Sequence, residues 1–287
     1  MKQDIRGFRS FIGSWIFVGD CNFLVEVGPA ATVKKLVQSL KDLGIESLDY
    51  VLLTHIHLDH AGGIGEFIKY FPEIKIVCHE KAVEHLMNPR KLWEGTKKVL
   101  GDIAISYGEM KPVPESKIIP SSEFRQKGFR AINTPGHAIH HVSYVYDRYL
   151  FAGEVGGVFH SPDGEIYQRP ATPPRFYLEE AIESIDELLK LSGKEMCFGH
   201  FGIHEDSKVM LERHRKQLFL WKEVISKEVR RSSNKADLIE NCISQLLAID
   251  RSFMSFNLLD DDIKEREMFF IENSIEGYIG YINHTGT

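Results

Sequence analysis

Few cysteines are present, and none are paired in sequence. Cys21, Cys78, Cys197 and Cys242 lie far apart with no C-x-x-C spacing, which argues against a disulfide framework or a thiol redox motif. They read as reduced core residues of a cytosolic protein. The chain also lacks any uncharged apolar run of the about eighteen residues a membrane span needs, and its first residues, MKQDIRG, do not open an apolar signal segment. A cytoplasmic protein without a membrane partner is expected. Nor is there an excess of positive charge: 35 Lys and Arg stand against 41 Asp and Glu, a net charge of −6. Bulk electrostatics therefore give no reason to hold nucleic acid. Internal repeats and low-complexity tracts are absent as well.

What is there is a chain of 287 residues, 43% hydrophobic and 26% charged, long enough for one large layered domain or a core domain with an appendage. Short apolar, β-branched and aromatic runs between 8 and 27 predict a strand meander. Residues 31–43 then place Val33, Leu36, Val37, Leu40 and Leu43 on one helical face. Strands are predicted at 48–53, 75–79, 129–133, 142–146, 149–152 and 195–199, and helices at 63–70, 80–100 and 178–191. Two stretches interrupt this order: a Pro- and Gly-punctuated insertion over 101–120 that carries Tyr107, and a Pro-rich aromatic stretch over 160–177. Long loops of that kind in compact domains are usually functional. Strands alternating with helices and hairpins imply a mixed α/β layered domain. After His204 strand signals almost vanish, and helices are predicted over 207–231, 235–249 and 260–282, with a break at 232–235. The chain divides accordingly into a domain of residues 1–206 and an α-helical extension of residues 207–287. In the extension, Leu218, Phe219, Trp221, Val224 and Ile225 form a stripe that must be buried on the core or in an oligomer.

The decisive segment is THIHLDHAGG, residues 54–63, which sets three imidazoles and a carboxylate at the end of a strand. Neutral imidazole and carboxylate together are a ligand set for Zn, Fe or Mn. If the strand runs through the first histidines, its period of two sends His55 and His57 to the same side. The chain then turns into a helix, which lets Asp59 and His60 face a second position. Burying four such groups for packing alone would require a hydrogen-bond partner for each.

This segment resembles the H-x-H-x-D-H signature of the metallo-β-lactamase superfamily, and the resemblance continues along most of the chain. NTPGH at 133–137 is similar to the element that carries a third ligand for the first metal, LFAGE at 150–154 to the element that ends in a bridging carboxylate, and CFGH at 197–200 to the last ligand position. The resemblance implies an αββα sandwich with the site between two sheets. It implies that His55, His57 and His137 bind one divalent ion, that Asp59, His60 and His200 bind a second, and that Glu154 bridges them; Zn and Fe suit such sites best, with Mn possible. At two positions the chain departs from the common pattern, with Glu26 and Glu154 where most members carry Asp. An extra methylene moves a carboxylate by about 1.5 Å, so Glu154 bridges, coordinates one ion, or accepts a hydrogen bond behind a ligand histidine. Further stretches around 79–95, 153–157 and 169–174 are similar to a prokaryotic subgroup of hydrolase-like proteins with glyoxalase-type motifs, which supplies no substrate.

Four other residues are candidates. His141 lies four residues beyond His137 and is expected to orient its loop by a hydrogen bond, a core role being the alternative. Tyr107, His160 and Tyr167 lie in the two irregular stretches and could reach over the metals, where a tyrosine hydroxyl could stabilise an oxyanion; packing is the alternative for each. Two cations in one pocket lower the pKa of water and so supply hydroxide without a protein nucleophile, with Asp59 orienting it and moving its proton. The expected activity is hydrolysis of a small thioester, ester or lactone. A phosphodiesterase, a non-haem iron oxidoreductase and a metal-binding module without turnover are the rival readings.

Overall fold

The computed structural model describes residues 3, 5–174, 176–191, 193–232 and 234–285. Ser233 in the expected break and Arg175 in the expected irregular stretch lie outside them. Strand β1 (Trp15–Phe17) turns antiparallel onto β2 (Phe23–Val25), which is followed in parallel by β3 (Tyr50–Leu52), β4 (Lys75–Cys78) and β5 (Ile118–Pro120). A second five-stranded sheet has the order β12 (Ile203–His204), β11 (Glu195–Phe198), β8 (Tyr149–Gly153), β7 (Val142–Tyr146), β6 (Phe129–Asn133).

Strand alternation explains how the two sheets stack. In β3 and β4 the side chains of Leu52 and Val77 point to one side and join Phe23, Val25, Tyr144, Phe151 and Cys197 in a core between the sheets. Their neighbours Val51, Leu53, Ile76 and Cys78 point the other way, as a period of two demands. There they meet helix α1 (Val33–Asp42), whose Val33, Leu36, Val37 and Leu40 cover the outer face of the first sheet. Likewise Leu150, Ala152, Met196 and Phe198 face outward from the second sheet onto helices α7 (Leu178–Leu188) and α8 (Ser207–Arg231). The result is the αββα sandwich. At one edge the sheets are tied directly, because the Val142 amide donates to Thr54 O at 2.7 Å and the Tyr144 hydroxyl donates to Leu53 O at 3.0 Å.

Three expectations need correction. The helix expected over 80–100 is divided into a short α4 (Val83–Met87) and α5 (Arg90–Leu100), because Pro89 cannot donate an amide and the residue before it is driven out of the helical region; Asn88 sits at φ −134°, ψ 80°. The insertion over 101–120 is structured: it forms α6 (Asp102–Tyr107) between two positive-φ glycines and ends in β5. The stretch over 160–177 holds a hairpin of β9 (Val158–His160) and β10 (Tyr167–Arg169), whose Gln168 and Arg169 are buried and so gave no strand alternation to read.

The C-terminal helices α9 (Lys235–Ile249), α10 (Arg251–Met254) and α11 (Asp261–Thr285) share one core with the second sheet, in which Trp221, Leu246, Phe253, Ile271 and Tyr278 meet Leu150, Met196 and Phe198. Of the expected stripe, Leu218, Trp221, Val224 and Ile225 are buried within the chain, while Phe219, turned roughly 100° away from Leu218, is 45% exposed. Each large apolar side chain in this core stabilises by about 1.5–3 kcal/mol, against a net stability of about 5–15 kcal/mol for a whole domain. A chain ending after Asp206 is therefore expected to be insoluble or molten, checked by soluble yield and near-ultraviolet circular dichroism; a sharp, native-like near-ultraviolet spectrum would show the core to be self-sufficient. Among the described residues no helix is long and apolar enough to cross a membrane.

Candidate metal centre

The first sheet delivers its ligands at the carboxyl ends of its parallel strands. β3 runs out into Thr54 and His55, and the chain turns at His57 into the short helix α2 (Leu58–Ala61). The turn of α2 places Asp59 and His60 beside the strand end. The loop after β2 clamps it, since the amides of Val27 and Gly28 both donate to His60 O at 3.1 and 2.8 Å. Glu26 at the same strand end has φ +64°, and its Oε1 accepts the Thr54 amide at 2.8 Å while Oε2 lies 3.6 Å from His60 Nδ1. Glu26 therefore holds the start of the histidine segment and faces the back of one ring.

From the second sheet come His137, after β6, Glu154, after β8, and His200, after β11. Gly153 ends β8 at φ +58°, and a Cβ there would lie 2.3 Å from His141 Nε2; only glycine lets that ring approach. His141 Nε2 accepts the Glu154 amide at 3.1 Å. Its other nitrogen must then carry the proton, which goes to Thr134 Oγ1 at 2.9 Å, and the chain continues through Ser143 Oγ, 3.0 Å on. His141 thus shapes the Glu154 turn from behind.

The structure brings His55, His57, His137 and Glu154 together in one group and Asp59, His60 and His200 in another, the ligand atoms of each group lying within 4.8 Å of one another. One oxygen joins them. Glu154 Oε1 lies 3.4 Å from His55 Nε2 and 3.3 Å from the Nε2 atoms of His60, His137 and His200. Two ligands on one tetrahedral ion with bonds of about 2.1 Å are roughly 3.4 Å apart, so these separations fit a coordination shell. His60 and His200 Nε2 are themselves 3.3 Å apart, and Asp59 Oδ2 lies 3.6 and 3.7 Å from them.

The proton positions also fit. His137 Nδ1 lies 2.8 Å from Ala171 O and His200 Nδ1 lies 3.1 Å from Phe11 O. A carbonyl can only accept, so both rings are protonated at Nδ1 and turn an Nε2 lone pair inward. Buried His55 Nε2 makes no well-formed hydrogen bond among the described residues, its carboxylate neighbour Glu154 Oε1 standing off at 3.4 Å, a costly arrangement unless a cation takes it up. Burial lowers His55 and His57 well below the usual histidine range, helped by His60 and His137 respectively, which keeps them in the neutral form a metal needs. Burial alone would raise Glu154, but His137 and His200 hold its carboxyl well below the usual range. Burial likewise lowers His60, yet Asp59, Glu154 and Glu26 outweigh it and raise the ring to about 9, so a cation binding there competes with a proton.

The remaining candidates are placed differently. Tyr107 is fully buried, its hydroxyl has no hydrogen-bond partner among the described residues, and its pKa is pushed well above the phenol range by burial and then by Asp59. His160 lies against Phe201 with ring centres 5.4 Å apart and the planes tilted by 39°. Tyr167 is turned away into a buried ion network and donates to Glu267 at 2.8 Å. There Glu267 lies between Arg169, at 2.5 Å, and Arg266, at 2.9 Å; burial would raise its carboxyl, but the two guanidiniums hold it at about 2. Phe11 and Ala171 had no sequence signal, because each acts through a backbone carbonyl. Phe11 also packs its ring on His200 at 4.4 Å.

Two layered sheets that converge on a buried histidine–carboxylate cluster define a metal-binding protein of the hydrolase type. The chain belongs to the metallo-β-lactamase superfamily, whose model matches residues 10–200. It is 33% identical over 189 residues to the metallo-β-lactamase fold-containing protein ST1585 of Sulfurisphaera tokodaii, covering 63% of this chain and 70% of that one. It is 28% identical over 176 residues to a hydroxyacylglutathione hydrolase of Vibrio campbellii, covering 61% and 54%. Among solved structures it superposes on ST1585 with a TM-score of 0.70 at 23% identity over 96% of both chains, and on a Thermus thermophilus family protein, TTHA1429, with 0.63 at 18% identity over 96% of this chain and 89% of that one.

Proposed function

We propose that this protein is a dinuclear metal hydrolase acting on a small thioester, ester or lactone. The observation that carries the reading is the convergence of two ligand groups on the single oxygen Glu154 Oε1. His55, His57 and His137 would hold one ion, Asp59, His60 and His200 the other, with Glu154 shared. Two divalent cations, Zn or Fe, would supply water of lowered pKa and polarisation of the scissile carbonyl. The protein does the rest. Asp59 turns Oδ2 toward His60 and His200, leaving Oδ1 to accept the proton of the attacking water and pass it to the leaving group. Tyr107, kept neutral by burial and by Asp59, remains a donor at neutral pH.

The side chains of Asp59 and His137 are only 14% and 10% exposed, which favours a small substrate over a polymer. Similarity to hydroxyacylglutathione hydrolases supports a thioester among the small acyl compounds. The four buried free cysteines support a reducing compartment, the cytoplasm. The test is metal analysis of protein purified without chelator, followed by a panel of chromogenic thioesters, esters, lactones and phosphodiesters. About two ions per chain are expected, with acyl turnover that chelation abolishes and Zn²⁺ or Fe²⁺ restores. Turnover of phosphodiesters alone, or acyl turnover that survives complete metal removal, would overturn the reading.

A further inference from the structure

Helix α11 carries Glu267, Phe270, Ser274 and Gly277 at spacings of three and four residues, which places them on one face. That face lies along residues 167–173, directly beside the metal centre. Tyr167 and Arg169 both donate to Glu267 Oε2, and the Arg169 guanidinium sits 5.7 Å from the Phe270 ring. Ser274 Oγ lies 3.1 Å from Pro170 O, and Thr172 Oγ1 donates to Ser274 O at 2.8 Å. Gly277 faces the same segment so closely that a Cβ there would lie 2.1 Å from Thr172 O and 2.7 Å from Pro173 O. Between the pinned Pro170 and Thr172 is Ala171, whose carbonyl takes the Nδ1 proton of His137 at 2.8 Å.

We infer that α11 is the positioning element for His137: through Gly277 and Ser274 it holds the Ala171 carbonyl where it selects the His137 tautomer, and so sets the affinity of one ion. The inference rests on the reading of His137 as a metal ligand. Its physical basis is a short lever. The Thr172 carbonyl, met at 2.1 Å, must retreat by more than about 1 Å to reach an ordinary contact, and a shift of that size passed through one peptide to the neighbouring Ala171 carbonyl breaks its 2.8 Å bond to His137. Losing the partner behind a ligand histidine lowers metal affinity by about 10- to 100-fold. None of these α11 residues touches the reacting atoms, so their effect must appear in metal binding before it appears in turnover.

The helix supplies its own control. A Cβ on Gly280 would lie 3.4 Å from Pro174 O, an ordinary contact, and both substitutions give α11 the same gain in helix propensity. In the full-length protein, Gly277→Ala and Gly280→Ala are compared by Zn²⁺ competition against a chromogenic chelator and by the visible spectrum of the Co²⁺-loaded protein. Gly280→Ala is expected to stay within about threefold of wild type, whereas Gly277→Ala weakens one of two ions by about tenfold or more and shifts the Co²⁺ bands. Should Gly277→Ala fail to fold, Thr172→Val, which removes only the hydroxyl donated to Ser274, is expected to weaken the same ion. Wild-type affinities and spectrum in the folded Gly277→Ala protein, or in Thr172→Val if that must stand in, overturn the inference while leaving the metal centre intact. A wild-type protein that binds no ion overturns both.

Discussion

Replacing Glu154 by alanine is expected to leave one tightly held divalent ion in place of two and to lower kcat/KM for a small thioester by about a thousandfold, the equivalent of about 4 kcal/mol of lost stabilisation. The expectation follows from where the carboxylate sits. Its Oε1 is within 3.3–3.4 Å of nitrogens from both ligand groups, so with two cations bound as proposed its removal would deprive both of a shared negative charge. Even partners behind a ligand cost about 10- to 100-fold in affinity, and a shared ligand costs more. Glu154→Asp keeps the charge but withdraws it by about 1.5 Å; its backbone remains held by His141, so it should retain metal and part of the turnover. Elemental analysis and competition titration decide the matter. Two ions at wild-type affinity in Glu154→Ala would remove the carboxylate from the metal pair and leave it as a hydrogen-bonding support.

Replacing His57 should remove the other ion, with a loss of turnover of similar size. His57 Nδ1 lies 2.9 Å from His137 Nε2; the His137 lone pair faces it, and a cation bound between the rings would replace the proton that otherwise bridges them. His57 differs from His55 in exposure, since it is half-buried whereas His55 is sealed. The expected result is therefore specific: His57→Gly loses one ion and nearly all activity, and added imidazole restores a measurable part of both. His55→Gly, whose vacated position small molecules reach poorly, should not be rescued. Equal rescue of both variants, or full metal content in His57→Gly, would contradict the assignment of His57 as a ligand at the mouth of the site.

Much of the architecture was legible because its signals are local. Helices α8 and α9 match the expected 207–231 and 235–249, since apolar periodicity runs along both and the side-chain caps Asp206 and Asn234 mark where each begins. The seven candidate ligands were legible as motifs, and the structure brings their side chains together where strands of the two sheets end. The hairpin at β9 and β10 was not, because Arg169 is a buried strand residue only by virtue of Glu267 nearly a hundred positions later. Helix α6 was hidden by the glycines that bound it, and Tyr107 at its end therefore looked like a loop residue. The supports of the ligand rings were least visible. Phe11 and Ala171 offer carbonyls, which every residue possesses, and nothing in the side chain announces them.

The support of His137 by α11 also imposes an order on biosynthesis. The motif at 55–60 emerges from the ribosome early, and its partners at 137, 154 and 200 follow, but Ser274 and Gly277 come from the last helix described. Chains grow at about 5–20 residues per second, so for several seconds a nascent molecule displays the imidazoles and carboxylates of the candidate site without the helix that fixes His137. Metal taken up in that interval would meet an unorganised ligand set, in which affinity follows the general preference of nitrogen donors for the more competitive transition metals. On the proposed reading, tight loading would belong to the finished chain, after α11 has docked, and the ion acquired would depend on the metal supply at that later moment.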